Sequence, residues 1–303
     1  MPQPSESLSF ERNFAPSHGI AEELSPLITR VVCSNPGPFT FTGTATFLIG
    51  RRTLAVIDPG PEDNRHLDAL LAAIGARRVS HILITHRHMD HSPLAHRLKA
   101  ITGAKTAGFP VPVRENGAPP AVGLDAARDR SFSPDIALKD GDAIEGEDWR
   151  LDAVFTPGHT SDHMAYALAQ EKSLFSGDHV MAWSTSVIAP PDGKMGQYLK
   201  SLERLLERED EVYFPTHGPP RRKPKELVRG LIAHRRMREG ALLARLKEGP
   251  KSVSQLVASL YADVDQALHA AAAQTTLAHL EHLIELGKVQ RAPQGPPILY
   301  RLS

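Results

Sequence analysis

The run Thr85-His86-Arg87-His88-Met89-Asp90-His91 constrains this chain more than any other stretch. It sets three imidazoles and a carboxylate between His86 and His91, directly after the apolar run Ile82-Leu83-Ile84. A short apolar run of this kind reads as a buried strand. Four polar groups crowded at its mouth would be costly without something to satisfy them. Imidazole nitrogen and carboxylate oxygen are ligands that zinc and related divalent ions accept. The carboxyl ends of strands are also where open α/β sheets build their sites. The segment therefore predicts a strand end that meets a cation.

Composition narrows the setting. With 35 basic and 35 acidic side chains the formal net charge is zero, so no global field draws the chain to nucleic acid or to a membrane. The single cysteine, Cys33, forbids an internal disulfide and a cysteine-rich zinc site, which fits a reducing compartment. Met1 to Pro16 carries charge and proline without an apolar core, so no signal peptide is visible, and no stretch approaches the ~20 apolar residues of a membrane span. The expectation is a cytoplasmic enzyme of one large and one small domain.

The first half alternates apolar runs with turn signals. Ile28 to Cys33, Thr44 to Ile49, Thr53 to Ile57 and Val79 to Thr85 read as strands, and Asp58-Pro59-Gly60-Pro61 stops the third. Asp63 to Ile74 has helical spacing, and Ser92 is placed to cap a helix running to about Thr102. Pro110 to Pro134 reads as a long surface excursion with a short helix around Asp125 to Arg130. Further on, Leu151 to Phe155, Met164 to Leu168, Ser173 to Ser176 and Glu211 to Pro215 read as strands, and Met195 to Glu207 as an amphipathic helix.

Three more segments set polar groups in turns after strands: Thr156-Pro157-Gly158-His159-Thr160, Ser176-Gly177-Asp178-His179 and Pro215-Thr216-His217-Gly218-Pro219. Glycine and proline there let backbone and side chain approach an ion closely. A lone Gly-His-Thr is only a turn; the ordered set of four carries weight. Over residues 28 to 220 this order resembles the metallo-β-lactamase superfamily.

The resemblance implies an α+β fold, an αββα sandwich of two mixed β-sheets flanked by helices. It implies a dinuclear site in which His86, His88 and His159 hold one metal and Asp90, His91 and His217 the other. Asp178 and a hydroxide would bridge them. Two such ions lower the pKa of the shared water and stabilise a developing oxyanion, with Asp90 and Asp178 as the carboxylates central to catalysis. Zinc is the expected metal, with iron or manganese as alternatives. Asp58 matches the family's first acidic motif and would orient a metal-bound histidine from behind. His163 is assigned a similar supporting role, whereas His66, His81, His96 and His179 read as structural. Aspartate at 178, where many true β-lactamases carry cysteine, argues against antibiotic hydrolysis. Trp183, Ser184 and Thr185 are expected to line the substrate entrance, with pocket walls from Phe109 to Pro134 and Met181 to Pro191.

From about Lys225 the character changes. Arg229 to Leu246, Val253 to Leu260 and Leu268 to Leu286 read as helices, and Val289 to Arg291 with Ile298 to Leu302 as a hairpin across Pro293-Gln294-Gly295-Pro296. Three helices and a hairpin describe a winged helix. The expected division is a catalytic domain over residues 1–224 and a winged-helix-like domain over 225–303. With Asn35-Pro36-Gly37-Pro38-Phe39-Thr40 and His159-Thr160-Ser161-Asp162-His163-Met164, the tail is similar to the lactamase-beta-like branch, which includes a mitochondrial endoribonuclease and fungal polyketide thioesterases. Gly43-Thr44-Ala45-Thr46-Phe47 departs from it, with alanine where relatives carry asparagine.

The candidate recognition helix, Leu268 to Leu286, has Glu281 and Glu285 and no lysine or arginine, which argues against major-groove reading. A basic run, Arg221-Arg222-Lys223-Pro224-Lys225 continued by Arg229, Arg235, Arg236 and Arg238, has the composition to track a phosphate backbone, although a solvated helix face is the favoured reading. The expectation is a metal-dependent hydrolase that cleaves an ester-type or phosphodiester bond. Its substrate is a small ester or thioester or single-stranded RNA, with no membrane partner and with a homodimer allowed. Thioesterase, lactonase, glyoxalase-II-like and iron-dependent sulfur-dioxygenase chemistries share the ligand pattern. A nucleic-acid-binding or scaffold protein with a vestigial metal site is the alternative of a different class.

Overall fold

Alternation along the strands decides the architecture, because successive side chains on a strand face opposite sides. In a computed structural model, which describes residues 8–110, 128–262, 268–293 and 297–303, the first sheet comprises β1 (Glu22–Glu23), β2 (Ile28–Val32), β3 (Ala45–Ile49), β4 (Thr53–Ile57), β5 (Arg78–Leu83), β6 (Lys105–Gly108) and β7 (Ile136–Ala137), in that order. Pairing is antiparallel from β1 to β4 and parallel from β4 to β7. The second sheet has the order β13 (Arg221–Arg222), β12 (Val212–Pro215), β11 (Ser173–Gly177), β10 (Met164–Leu168), β9 (Arg150–Phe155), β8 (Ala143–Glu145), with only β11 and β12 parallel. Both sheets are thus mixed, as expected.

Ala55 and Ile57 of β4 meet Tyr166 and Phe175 in the core between the sheets. Leu54 and Val56 face the other way, toward Leu67, Leu70 and Ile74 of α1 (Asn64–Ile74) and Leu98 of α2 (Ala95–Thr102). Likewise Ala165 and Ala167 of β10 face Leu199, Leu202 and Leu205 of α3 (Met195–Leu206). Each large aliphatic side chain so buried contributes about 1.5–3 kcal/mol.

Asp63 caps α1, accepting from the His66 amide at 2.7 Å. Ser92 does not cap α2 as expected: Leu94 takes the cap position without a side-chain bond, and the Ser92 hydroxyl donates to Asp129 Oδ2 at 2.8 Å. Most of the Pro110 to Pro134 excursion, including Asp125 to Ala127 of its expected short helix, lies outside the described residues. Its end returns over the metal-motif loop, where the Asp129 amide donates to the Arg87 carbonyl at 2.6 Å.

Helix α4 (Pro224–Leu246) starts five residues before the expected Arg229, with proline in its first turn, where the missing N–H costs nothing. Its first half, through Leu227, Val228, Leu231 and Ile232, joins the core under α3, and its second half, through Leu242 and Leu246, joins a separate small core. That core holds α5 (Val253–Leu260), α6 (His269–Glu285), and a three-stranded sheet of β14 (Lys251–Ser252), β16 (Leu299–Leu302) and β15 (Val289–Arg291). This is the winged helix; residues Gln294 to Pro296 of its hairpin turn lie outside the described residues. Among the described residues, no helix is long and apolar enough to cross a membrane.

Candidate metal centre

The four polar motifs meet at one edge of the sandwich. His86 to His91 follow β5, His159 follows β9, Asp178 follows β11 and His217 follows β12. Three overlapping sets, His86 with His88 and His159, His86 with His91 and Asp178, and Asp90 with His91 and His217, each bring their ligand atoms within 4.8 Å of one another. Asp178 lies between them: its Oδ1 is 3.4 Å from His217 Nε2, and its Oδ2 is 3.6 Å from His91 Nε2 and 3.8 Å from His159 Nε2. Asp90 Oδ2 is 3.1 Å from His217 Nε2.

The other ring nitrogens are held from behind. His91 Nδ1 lies 2.9 Å from Asp58 Oδ2, His159 Nδ1 2.6 Å from the Val187 carbonyl and His217 Nδ1 3.2 Å from the Gly43 carbonyl. Because those partners accept, each ring keeps a proton on Nδ1 and turns its Nε2 inward. Asp58 also accepts from the Thr85 amide and hydroxyl, at 2.8 and 2.7 Å, and from the Thr216 hydroxyl at 2.9 Å. Thr85 and Thr216 were not singled out by sequence; their places beside His86 and His217 were the available signal.

Charge and burial fit a cation. Nε2 of His91, His159 and His217 and Oδ1 of Asp178 are buried and without a hydrogen bond of acceptable geometry. Buried polar atoms are rarely left so. Burial, then the charges of neighbouring rings, pushes His86 well below its ordinary value, and His88 falls to about 3 by burial and by His159. Burial alone would raise Asp178, but His217 and His91 hold it well below the usual carboxylate range. Burial would lower His91 and His217 too, but the carboxylates of Asp90 and Asp178 raise both above their ordinary value. These two rings would give up a proton to an ion, whereas His86, His88 and Asp178 already stand in the forms that bind one.

His163 stands behind this layer. Its Nε2 accepts from the Asp178 amide at 3.2 Å and its Nδ1 lies 2.8 Å from the Thr156 hydroxyl. Gly177, at φ +53°, has no room for a side chain: a Cβ would lie 2.5 Å from His163 Nε2. His179 is buried against the rings of His163 and Tyr198. His66 lies beneath the first sheet with Nε2 2.9 Å from the Thr46 hydroxyl, His81 lies edge-on to Trp149, and His96 is 3.5 Å from the Ser131 hydroxyl.

A cavity of about 240 Å³ is lined at its floor by His88, Asp90, His159 and Asp178 of this cluster. Phe39, Met181, Val187 and Ala189 form its apolar wall, and Arg128 and Asp192, 2.8 Å apart, close one side. Trp183, Ser184 and Thr185, expected at the entrance, are not among the residues that line this cavity. Trp183 stacks on Phe41 with ring centres 4.7 Å apart. The chain lines the cavity with the flanking Met181 and Val187 instead.

The basic run is largely engaged with protein. Arg221 pairs with Glu11 at 2.5 Å, Lys225 with Glu209 at 2.7 Å and Arg236 with Glu203 at 2.8 Å. Arg238 donates to the Leu260 carbonyl, and Arg235 is buried.

The geometry fits a metal centre, and the comparisons give its class. Residues 39–217 match the Metallo-beta-lactamase superfamily and residues 252–295 the Beta-lactamase associated winged helix domain. The chain belongs to the metallo-β-lactamase superfamily and is a metallohydrolase whose His/Asp site takes divalent metal ions. It is 33% identical to a beta-lactamase-like protein 2 homolog of Drosophila melanogaster, over 88% of this chain and 91% of that one. It is 26% identical to an atrochrysone carboxyl ACP thioesterase of Claviceps purpurea, over 80% and 74%. A metallo-beta-lactamase family protein from Thermus thermophilus superimposes with a TM-score of 0.78 at 26% identity, covering 93% of this chain and all of that one.

Proposed function

We propose that this metallohydrolase holds two divalent ions, preferentially zinc, and hydrolyses a thioester or ester of a small acyl group. His86, His88 and His159 would bind one ion, Asp90, His91 and His217 the second, and Asp178 both. The ligand chemistry of nitrogen and oxygen donors without sulfur supports zinc, with iron or manganese able to occupy the same set.

The cavity wall is the observation that carries the substrate class. Phe39, Met181, Val187 and Ala189 suit an uncharged acyl chain, and the Arg128–Asp192 pair leaves that wall with no net charge. A polyanionic backbone needs a surplus of basic groups, and much of the basic run is spent on internal pairs. The thioesterase among the relatives points the same way.

Bound divalent ions supply Lewis acidity and an acidified water at neutral pH. The protein's part is positional. Asp58, Val187 and Gly43 keep three imidazoles turned inward. Asp178 presents one oxygen to His217 and the other to His91 and His159. The apolar wall seats the acyl chain and keeps bulk water from the carbonyl.

The test is a side-by-side assay of acyl-N-acetylcysteamine thioesters, the matching oxygen esters and labelled single-stranded RNA, with the zinc-loaded protein. Thioester or ester turnover that is lost in Asp178→Ala supports the reading. Cleavage of RNA with no ester or thioester turnover overturns it.

A further inference from the structure

The segment Ser186-Val187-Ile188 joins the ligand layer to the C-terminal unit. Toward the ligands, the Val187 carbonyl lies 2.6 Å from His159 Nδ1, and the Ser186 hydroxyl donates to the Asp178 carbonyl at 2.5 Å and to the His179 carbonyl at 3.0 Å. Toward the C-terminal unit, Arg235 of α4 donates from Nη2 to the Ser186 carbonyl at 2.5 Å, and the Ile188 amide donates to Thr275 Oγ1 of α6 at 3.4 Å. Arg235 is 2% exposed, and its guanidinium carbon lies 5.3 Å from the centre of the Tyr198 ring. The Tyr198 hydroxyl is in turn 3.5 Å from Ser186 Oγ.

Burying a guanidinium carries a desolvation cost unless its hydrogen bonds and neighbours offset it. This one spends a charge-assisted bond on a single peptide carbonyl. That peptide begins at the residue whose hydroxyl holds Asp178 and ends at the residue whose carbonyl holds His159. Arg235 also lies outside both matched stretches, 39–217 and 252–295, so neither family signature accounts for it.

We infer that Arg235 is a positioning residue for the metal centre. It clamps the Ser186–Val187 peptide, so that the Val187 carbonyl fixes the tautomer and direction of His159 and Ser186 fixes the backbone of Asp178. Thr275 steadies the same segment from α6. The C-terminal unit thereby shapes the ion position of His86, His88 and His159 without contributing a ligand to it. The inference rests on His159 and Asp178 being ligands.

The experiment titrates Co²⁺ into the metal-stripped full chain and reads its visible absorption and its affinity against a chromophoric chelator. Wild type, His159→Ala, Arg235→Met, Arg235→Lys and Thr275→Val are compared. Arg235→Met is expected to keep the wild-type far-ultraviolet circular dichroism but to bind one ion roughly 10–100-fold more weakly, the usual effect of losing a group that orients a ligand. Its visible band should move toward that of His159→Ala, and Arg235→Lys, which keeps charge and a donor, should recover most of the loss. Wild-type affinity and spectrum in Arg235→Met overturn the inference. If Arg235→Met does not fold, Thr275→Val decides: selective weakening of one ion supports the clamp, and an unchanged titration overturns it. A wild type that takes up no Co²⁺, or is indifferent to His159→Ala, refutes the ligand assignment itself and the inference with it.

Discussion

Replacing Asp58 by asparagine perturbs the centre without touching a ligand atom. The side chain is fully buried and accepts four hydrogen bonds: from the Thr85 amide at Oδ1, and from the Thr85 hydroxyl, the Thr216 hydroxyl and His91 Nδ1 at Oδ2. An asparagine of the same shape offers one acceptor. If its oxygen faces His91 and the threonines, its NH2 meets the Thr85 N–H, donor against donor. If it flips, the hydroxyls can rotate to accept, but His91 must give up its Nδ1 proton and carry it on Nε2, the atom turned toward the ion. Bonds to a charged group contribute about 1.5–3 kcal/mol each, so losing one or two of four costs about 2–4 kcal/mol. Metal affinity should fall roughly 10–100-fold in the same variant. Urea denaturation of the metal-free protein reads the first quantity, and chelator competition reads the second. A variant with the wild-type urea midpoint and wild-type affinity refutes the reasoning.

Two further outcomes follow from particular contacts. Glu239 accepts from His282 Nδ1 at 2.7 Å and from His279 Nδ1 at 3.3 Å. Burial alone would raise its carboxyl, yet those bonds lower it to about 2, whereas at His279 burial outweighs the carboxylate and keeps the ring below its ordinary value. A depressed carboxyl stabilises the fold above its unfolded value of 4.5 and loses that contribution as the pH falls toward 2. Glu239→Gln should therefore be less stable than wild type at pH 7 by urea denaturation, with the gap closing below pH 4.5; a gap that does not change with pH contradicts this. Gly158, at φ +142°, has its Cβ position 2.3 Å from the Tyr198 backbone. Gly158→Ala should cost about 2–4 kcal/mol in overpacking and strain and weaken metal binding through His159, measured by thermal unfolding and ion titration; wild-type values in both would count against the tight packing of that turn.

The sheets and the polar motifs that converge at the strand ends were legible because their signals are local. Thr53 to Ile57, Met164 to Leu168, Val253 to Leu260 and Val289 to Arg291 have the extents that their apolar patterns predict. The strands β6, β7 and β8 escaped because they are two to four residues long and lean on neighbours distant in sequence. The same holds for the supports of the site. Val187 acts through its carbonyl, which no side-chain pattern reveals, and Arg235 sat in a basic run whose reading as a solvated face or a nucleic-acid track missed its burial. Trp183 was expected at the substrate entrance, but its stacking partner Phe41 is 142 positions away in the chain, a contact that no local pattern shows. The cap expected at Ser92 lost to Asp129, another contact that only the folded chain supplies.

The most direct test of a two-ion centre is metal content by mass spectrometry, set against hydrolytic rate, for wild type and Asp178→Ala. Two divalent ions per wild-type chain, turnover that rises with loading, and reduced content with lost turnover in Asp178→Ala are the predicted results. Full activity after metal is stripped, or unchanged content and rate in Asp178→Ala, would contradict the account.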